Sequence, residues 1–391
     1  MKKILLGTTG LIGAALLSAA ANAETPKVTL GGFADFQAGY TSDDRDTGLR
    51  DTAFRNDNEI SIRVDGKTDG GLGYGAVIDL EADTTADANG EGTNASRTFT
   101  YLEGSWGRAE MGDNKSVAET MRVDAGSIAV ATGGINGDWT YFTNGQAGGA
   151  GTLNGSGGTG FITTSGLPSE HGSRLALNDE TFYNATKLNY YSPKFSGFQI
   201  GASYTPDLQS KGQTINKINN APGAFAYGDV IDLGLSYEHQ FENTLKLGAA
   251  FTYEHADADS GAGNFNDIGA YTIGANLGYM GWSVAASYGD WDDAGDLAAA
   301  PSLESDYYTL GAAYETGPFG LSATYLKSTV EQTATTENEF TNFVVGADYK
   351  LAPGLTPYAE VSFYEFDQAG TGAGVYDNDG TTFLLGTQVA F

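Results

Sequence analysis

The chain has 391 residues, with 49 acidic against 20 basic side chains, a formal charge of −29 and no cysteine. That balance opposes contact with nucleic acid, and the lack of cysteine excludes a disulfide scaffold, a thiolate nucleophile and thiolate metal ligands. Disordered acidic chains are poor in large aromatics, whereas this one has 22 Tyr and 20 Phe, and its 56 Gly with only nine Pro point to repetitive β-structure.

Residues 1–23, MKKILLGTTGLIGAALLSAAANA, have the three parts of an export signal: Lys2 and Lys3, an apolar run from Ile4 to Leu17, and Ala21-Asn22-Ala23 as a small-x-small cleavage site. The run is shorter than the roughly 20 residues a membrane-spanning helix needs. Cleavage after Ala23 is expected, leaving a mature chain from Glu24 with 18 basic and 49 acidic residues, a charge of −31.

From residue 27 onward the apolar residues alternate with small or polar ones. In IDLGLSYEHQ, Ile231, Leu233, Leu235 and Tyr237 share one face and Asp232, Gly234, Ser236 and Glu238 the other. TLKLGAAFTYEH, YTIGANLGYM, GWSVAASYGD, FGLSATYLKS and FTNFVVGADYK repeat the pattern. Short turns are read at 68–71, 104–107, 194–197, 241–244, 280–282, 316–320 and 351–354. Between them lie longer polar loops at 41–57, 84–96, 114–182, 206–228, 256–267, 292–305, 329–338 and 367–380. Seven turns and eight loops make fifteen connections, hence sixteen strands with both chain ends on the short-turn side.

A ring of sixteen strands encloses a lumen too wide for side chains to fill, so the apolar parity must point outward. Outward apolar residues are stable in lipid, where a closed barrel also pairs every backbone group. The fold read from the sequence is therefore all-β, a 16-stranded antiparallel transmembrane β-barrel. TTFLLGTQVAF, residues 381–391, is its closing strand, with Phe383, Leu385, Val389 and Phe391 on alternate positions. Trp106, Phe195, Phe198, Phe241, Tyr279, Trp282, Phe319 and Phe391 cluster at the short-turn ends, as an aromatic girdle at a membrane interface would.

At this point the chain resembles the Gram-negative general porins, and looks most like those of the alphaproteobacteria. The resemblance rests on the export signal, on YLEGSWGRAEMGDN (101–114) ahead of a long third loop, and on the terminal TTFLLGTQVAF. It implies a homotrimer in the cell outer membrane whose third loop, here 114–182, folds into the lumen. It also implies contact with outer-membrane lipid and lipopolysaccharide, and recognition of Phe383, Leu385, Val389 and Phe391 by the outer-membrane assembly machinery. The Pro-Glu-Phe-Gly-Gly motif of enterobacterial porins is absent, and QAGGAGTLNGSGGTG makes the third loop unusual.

A porin narrows its lumen with acidic and basic side chains that face each other and set a transverse field. The acidic candidates are Glu119 and Asp124 in SVAETMRVDAGSIAV, with Arg122 between them, and Asp113 at the loop entry. That stretch is expected to form a helical turn. On the basic side, parity in NEISIRVDGK puts Arg63 on the lumen face, and Arg55, Arg97 and Lys187 join it as a ladder like that of the family. Asp79, Asp232, Asp348 and Glu360 are read as hydrated wall acids.

No catalytic constellation emerges. GSGGTG at 155–160 lacks a preceding strand and a following helix, and His171, His239 and His255 have no partner at metal-ligand spacing. HADADSGAGNFND, GDWDDAGD and DNDG are acidic without the full spacing of a calcium loop, so neither a metal nor another cofactor is assigned. The expected function is passive diffusion of small hydrophilic solutes and ions with a cation preference. A substrate-specific porin and a non-conducting surface barrel are the alternatives.

Overall fold

The computed structural model describes residues 25–44, 50–82, 95–143, 161–171, 184–208, 210–213, 227–242, 244–258, 266–292, 304–333, 335–369 and 377–391. The export signal, QAGGAGTLNGSGGTG and most of the acidic outer-loop tips lie outside them. The first five strands are β1 (Lys27–Asp43), β2 (Thr52–Lys67), β3 (Gly73–Glu81), β4 (Ala95–Gly104) and β5 (Gly107–Asp113). After the third long connection come β6 (Thr186–Tyr191), β7 (Phe198–Asp207), β8 (Tyr227–Gln240), β9 (Lys246–Ala258), β10 (Ile268–Tyr279) and β11 (Trp282–Asp292). The last five are β12 (Ser305–Thr316), β13 (Phe319–Thr333), β14 (Thr336–Tyr349), β15 (Leu355–Asp367) and β16 (Asn378–Ala390).

Each strand pairs antiparallel with its chain neighbour, and β1 pairs with β16 from Phe33↔Ala390 to Asp43↔Gly380, closing the sheet. The closure reaches the final residue. Gly32 N donates to the Phe391 carbonyl at 3.1 Å and Phe391 N donates back to Gly32 at 3.0 Å. All seven short turns fall where the alternation breaks.

Two outer loops are shorter than expected. β1 and β2 extend into 41–57, and β13 and β14 nearly consume 329–338. STVEQTATTENEF lacks apolar alternation, but its β-branched threonines suit an extended ladder above the apolar band.

Parity decides what faces where. On β8, Ile231, Leu233 and Leu235 are exposed while Asp232 and Gly234 are buried. On β2, Phe54 stands 76% exposed beside the inward Arg55, and all eight girdle aromatics lie on the outer surface. A barrel lying in lipid needs this arrangement, with apolar side chains outside and every ladder paired.

The interior is less polar than the alternation suggests. Trp139, Phe142 and Phe161 of the third connection pack with Phe340, Tyr364, Phe366 and Leu384 of the wall. Ile162 and Leu167 pack with Tyr227, Ile268, Trp291 and Tyr307. These wall residues are inward-pointing apolar positions, so part of the lumen holds a dry core formed between the wall and the inserted connection.

Candidate functional site

The third connection leaves β5, enters the barrel and runs around its inner wall. It opens with helix α1 (Val117–Met121), capped by the Ser116 hydroxyl, which accepts from Glu119 N at 3.3 Å. Its backbone N–H groups then find wall hydroxyls in strand order. Val117 donates to Ser203 of β7 (2.8 Å), Ala125 to Thr309 of β12 (3.2 Å), Val130 to Ser322 (3.1 Å) and Ile135 to Thr324 (3.0 Å), both of β13. Glycines let it lie close. Met121 rests over Gly201 and Gly234, and the Val123 carbonyl over Gly274.

Residues 161–169 return along the same wall. Gly166 N donates to the Tyr307 hydroxyl and Trp291 Nε1 to the Gly166 carbonyl, both at 3.0 Å. Ser169 N donates to Glu254 Oε1 at 3.0 Å, and its hydroxyl to Glu254 Oε2. The two passes are tied together where Asn136 Nδ2 donates to Asp124 at 3.0 Å and the Ser165 hydroxyl donates to the same carboxylate.

The structure sorts the eight predicted charges into three groups. Glu119, Arg122 and Asp124 form one cluster on the connection, with Arg122 2.6 Å from Glu119 and 3.0 Å from Asp124. Arg55, Arg63 and Arg97 lie on the inner wall of β2 and β4. Arg55 pairs with Asp57 at 2.9 Å, and Arg97 with Asp79 at 2.5 Å. Arg63 is exposed on the lumen face and makes no ion pair among the described residues.

The third group serves the scaffold. Lys187 is only 6% exposed and donates to the Asn114 carbonyl beneath the start of the connection. Asp113 accepts from the hydroxyls of Thr98 (3.3 Å) and Thr186 (2.5 Å) and from Gly212 N (2.8 Å) at the top of β5. Neither faces open lumen. The wall acids also depart from expectation: Asp79, Asp232 and Glu360 are almost wholly buried instead of hydrated. Asp79 is covered by Arg97, and Glu360 accepts from the Thr132 hydroxyl (2.6 Å) and Thr132 N (3.3 Å). An alternating pattern gives the parity of a wall residue, but not whether another segment lies on it.

Asp138 was not anticipated. It accepts from Gln37 Nε2 and stands 3.4 Å from Arg55, whose guanidinium also lies 4.0 Å over the Tyr141 ring. Burial pushes the Asp138 carboxyl above the ordinary carboxylate range, with Arg55 opposing the shift. The sequence signal was a lone acid within GDWTYF, an aromatic stretch that packs against the wall.

Across the remaining opening, the connection presents Glu119, Arg122 and Asp138, while β2 presents Arg55, Asp57, Glu59, Arg63 and Asp65 on one parity. Such a water-accessible, mixed-charge passage through a closed barrel can filter solutes by size and charge.

A closed barrel with an apolar exterior and a charged interior narrowed from within is the architecture of an outer-membrane channel. The chain belongs to the Gram-negative porin family, whose model matches residues 8–369. It is similar to uncharacterised proteins of Rickettsia typhi and Rickettsia conorii, at 29% and 25% identity over the whole of both chains. Among solved structures it resembles an anion-selective porin from Comamonas acidovorans, with a TM-score of 0.63 and 18% identity, covering 94% of this chain and 100% of that one. It also resembles OmpT, an outer-membrane protein of Vibrio cholerae, with a TM-score of 0.62 and 12% identity over 96% and 100% of the two chains. Family and fold make the protein an outer-membrane channel.

Proposed function

We propose that the channel passes small hydrophilic solutes and ions by diffusion, with a preference for cations. The channel reading is carried by the charged interior of a lipid-facing barrel, narrowed by the described stretches of its third connection, 114–143 and 161–171. The cation preference is supported by the charges left after pairing. Arg55, Arg97 and Arg122 are each held by carboxylates. Asp35, beside Asp138 of the third connection, and Glu59 have no ion pair among the described residues, whereas the unpaired cations of the same parity, Lys27, Arg63 and Lys67, lie with Asp65 toward the short-turn end. Charge in the outer loops is screened beyond about 8–10 Å, so these inner acids decide the sign. The anion selectivity of the Comamonas protein does not transfer across a likeness of fold. The test is the reversal potential of purified protein in a planar bilayer under a KCl gradient. A cation-selective sign is expected, and an anion-selective sign overturns the preference.

The same reading includes export with cleavage after Ala23, checked by N-terminal sequencing of the mature protein. It includes a homotrimer embedded among outer-membrane lipid and lipopolysaccharide. One structure of the Vibrio cholerae OmpT, 13% identical to this chain, is described as a trimer form, and a heat-sensitive high-mass band on an unheated gel is the expected result here. Recognition of Phe383, Leu385, Val389 and Phe391 by the assembly machinery completes the reading.

A further inference from the structure

We propose that the niche beneath helix α1, on the short-turn side, is a subsite for zwitterionic solutes of amino-acid or short-peptide size. The inference rests on the channel reading above. The niche has a volume of about 590 Å³, within the range of about 300–1,000 Å³ typical of ligand pockets.

Helix α1 and the residues after it form the roof through Thr120 and Arg122, and the inner wall forms the rest. Ser236, Glu238 and Gln240 point inward on the parity of Asp232 and Gly234. Lys246 stands opposite Gln240 in register, and Asn276 opposite Gly248. Two glycines keep the floor low. A Cβ on Gly248 would strike the Asn276 amide at 2.5 Å, and one on Gly278 would reach contact distance of Lys246 Cβ at 3.8 Å.

The hydrogen-bonding capacity of this wall is unspent. Among the described residues, Lys246 makes no ion pair, and the side chains of Ser236, Gln240 and Asn276 make no hydrogen bond. Arg122 is already held by Glu119 and Asp124, so Lys246 is the cation available to a ligand carboxylate. Glu238 is 2.6 Å from Lys194, but both side chains are more than half exposed. An exposed pair of this kind is worth little, so a ligand ammonium can share the Glu238 carboxylate.

Glu238 and Lys246 are diagonal neighbours on the wall, since Glu238 faces Gly248 in register. Beside them, Gln240 on β8 and Asn276 across Gly248 on β10 offer both donors and acceptors, as a peptide group requires. A sugar fits less well because the wall offers no inward aromatic platform. Tyr237 points outward, packed at a tilt on Phe198 and stacked with His239.

The test uses the purified full-length channel in planar bilayers, with dialanine as the probe and sucrose as an uncharged control. Dialanine is expected to block the KCl current saturably, and sucrose is not. Lys246→Met and, separately, Asn276→Leu are expected to weaken the dialanine block, about tenfold for the lysine. Lys350→Met, outside the niche, should leave the block as in the wild type. Open channels that dialanine blocks no better than sucrose overturn the subsite and leave the channel reading intact. Equal block in wild type and Lys246→Met also overturns it. Absence of current steps removes the channel reading, and the subsite with it.

Discussion

The Val123 carbonyl lies so close over Gly274 that a Cβ at that position would overlap it. Gly274 is inward-facing on β10, whereas Gly269 on the same strand points outward with nothing within 4 Å of its would-be Cβ. Gly274→Val should therefore push the third connection off the wall and lower stability by about 1–3 kcal/mol, the usual cost of overpacking. Gly269→Val should be close to neutral. Thermal unfolding in detergent compares the two, and single-channel conductance should change only for Gly274→Val.

Asp138 should make ion selectivity depend on pH. Facing it are Gln37 and Asp35 of β1, Arg55 and Asp57 of β2, and Tyr358 and Glu360 of β15. Burial raises its affinity for a proton, so it is neutralised at a pH above that of a free carboxylate. Protonation removes a negative charge beside Arg55, and cation preference should fall as the solution is acidified. In Asp138→Asn that step should be missing, and the preference at neutral pH should already be reduced. Reversal potentials measured from pH 7 to pH 4 follow both effects, and Arg55→Gln should move selectivity the opposite way.

Strand number, turn positions and the outward parity were legible because a period of two and its interruptions are local properties of the chain. The girdle aromatics and the terminal residues followed from that parity. Within the site, Glu119, Arg122 and Asp124 were found because they lie within six residues of one another on a helical turn and its exit. The pairing of Arg55 with Asp138 was not legible, since 83 residues separate them and only the course of the connection brings them together. For the same reason the sequence leaves Glu360 wet although Thr132 of the connection covers it, whereas Asp79 is covered by Arg97 of the neighbouring strand. Inward Phe340, Phe366 and Trp291 had no obvious role on a lumen face until a segment covering them was known.

Glu254 should matter more for anchoring the connection than for charge in the passage. It is 0% exposed and accepts both the backbone N–H and the hydroxyl of Ser169. In Glu254→Ala these two donors lose their buried acceptor, at a cost of about 1–3 kcal/mol per unsatisfied group. Glu254→Gln retains acceptor oxygen and should cost less. Hydrogen exchange at the Ser169 amide should accelerate strongly in the alanine variant and modestly in the glutamine variant. Exchange at Val117, at the far end of the same connection and bound to Ser203, should change little.

The last residue combines two functions that can be separated. Its backbone closes the barrel through two hydrogen bonds with Gly32, and its ring stands exposed on the lipid face. Phe391→Ser keeps the backbone pair and removes the ring, so refolding into detergent micelles, where no assembly machinery is present, should reach near-normal yield. Deletion of Phe391 removes both bonds and should lower stability by about 1–3 kcal/mol in the same assay. In cells, if the ring is what the assembly machinery reads, Phe391→Ser should reduce outer-membrane accumulation about as much as the deletion does. Should Phe391→Ser accumulate normally in cells while the deletion fails, the terminal ring would have no part in recognition and barrel closure alone would account for its position.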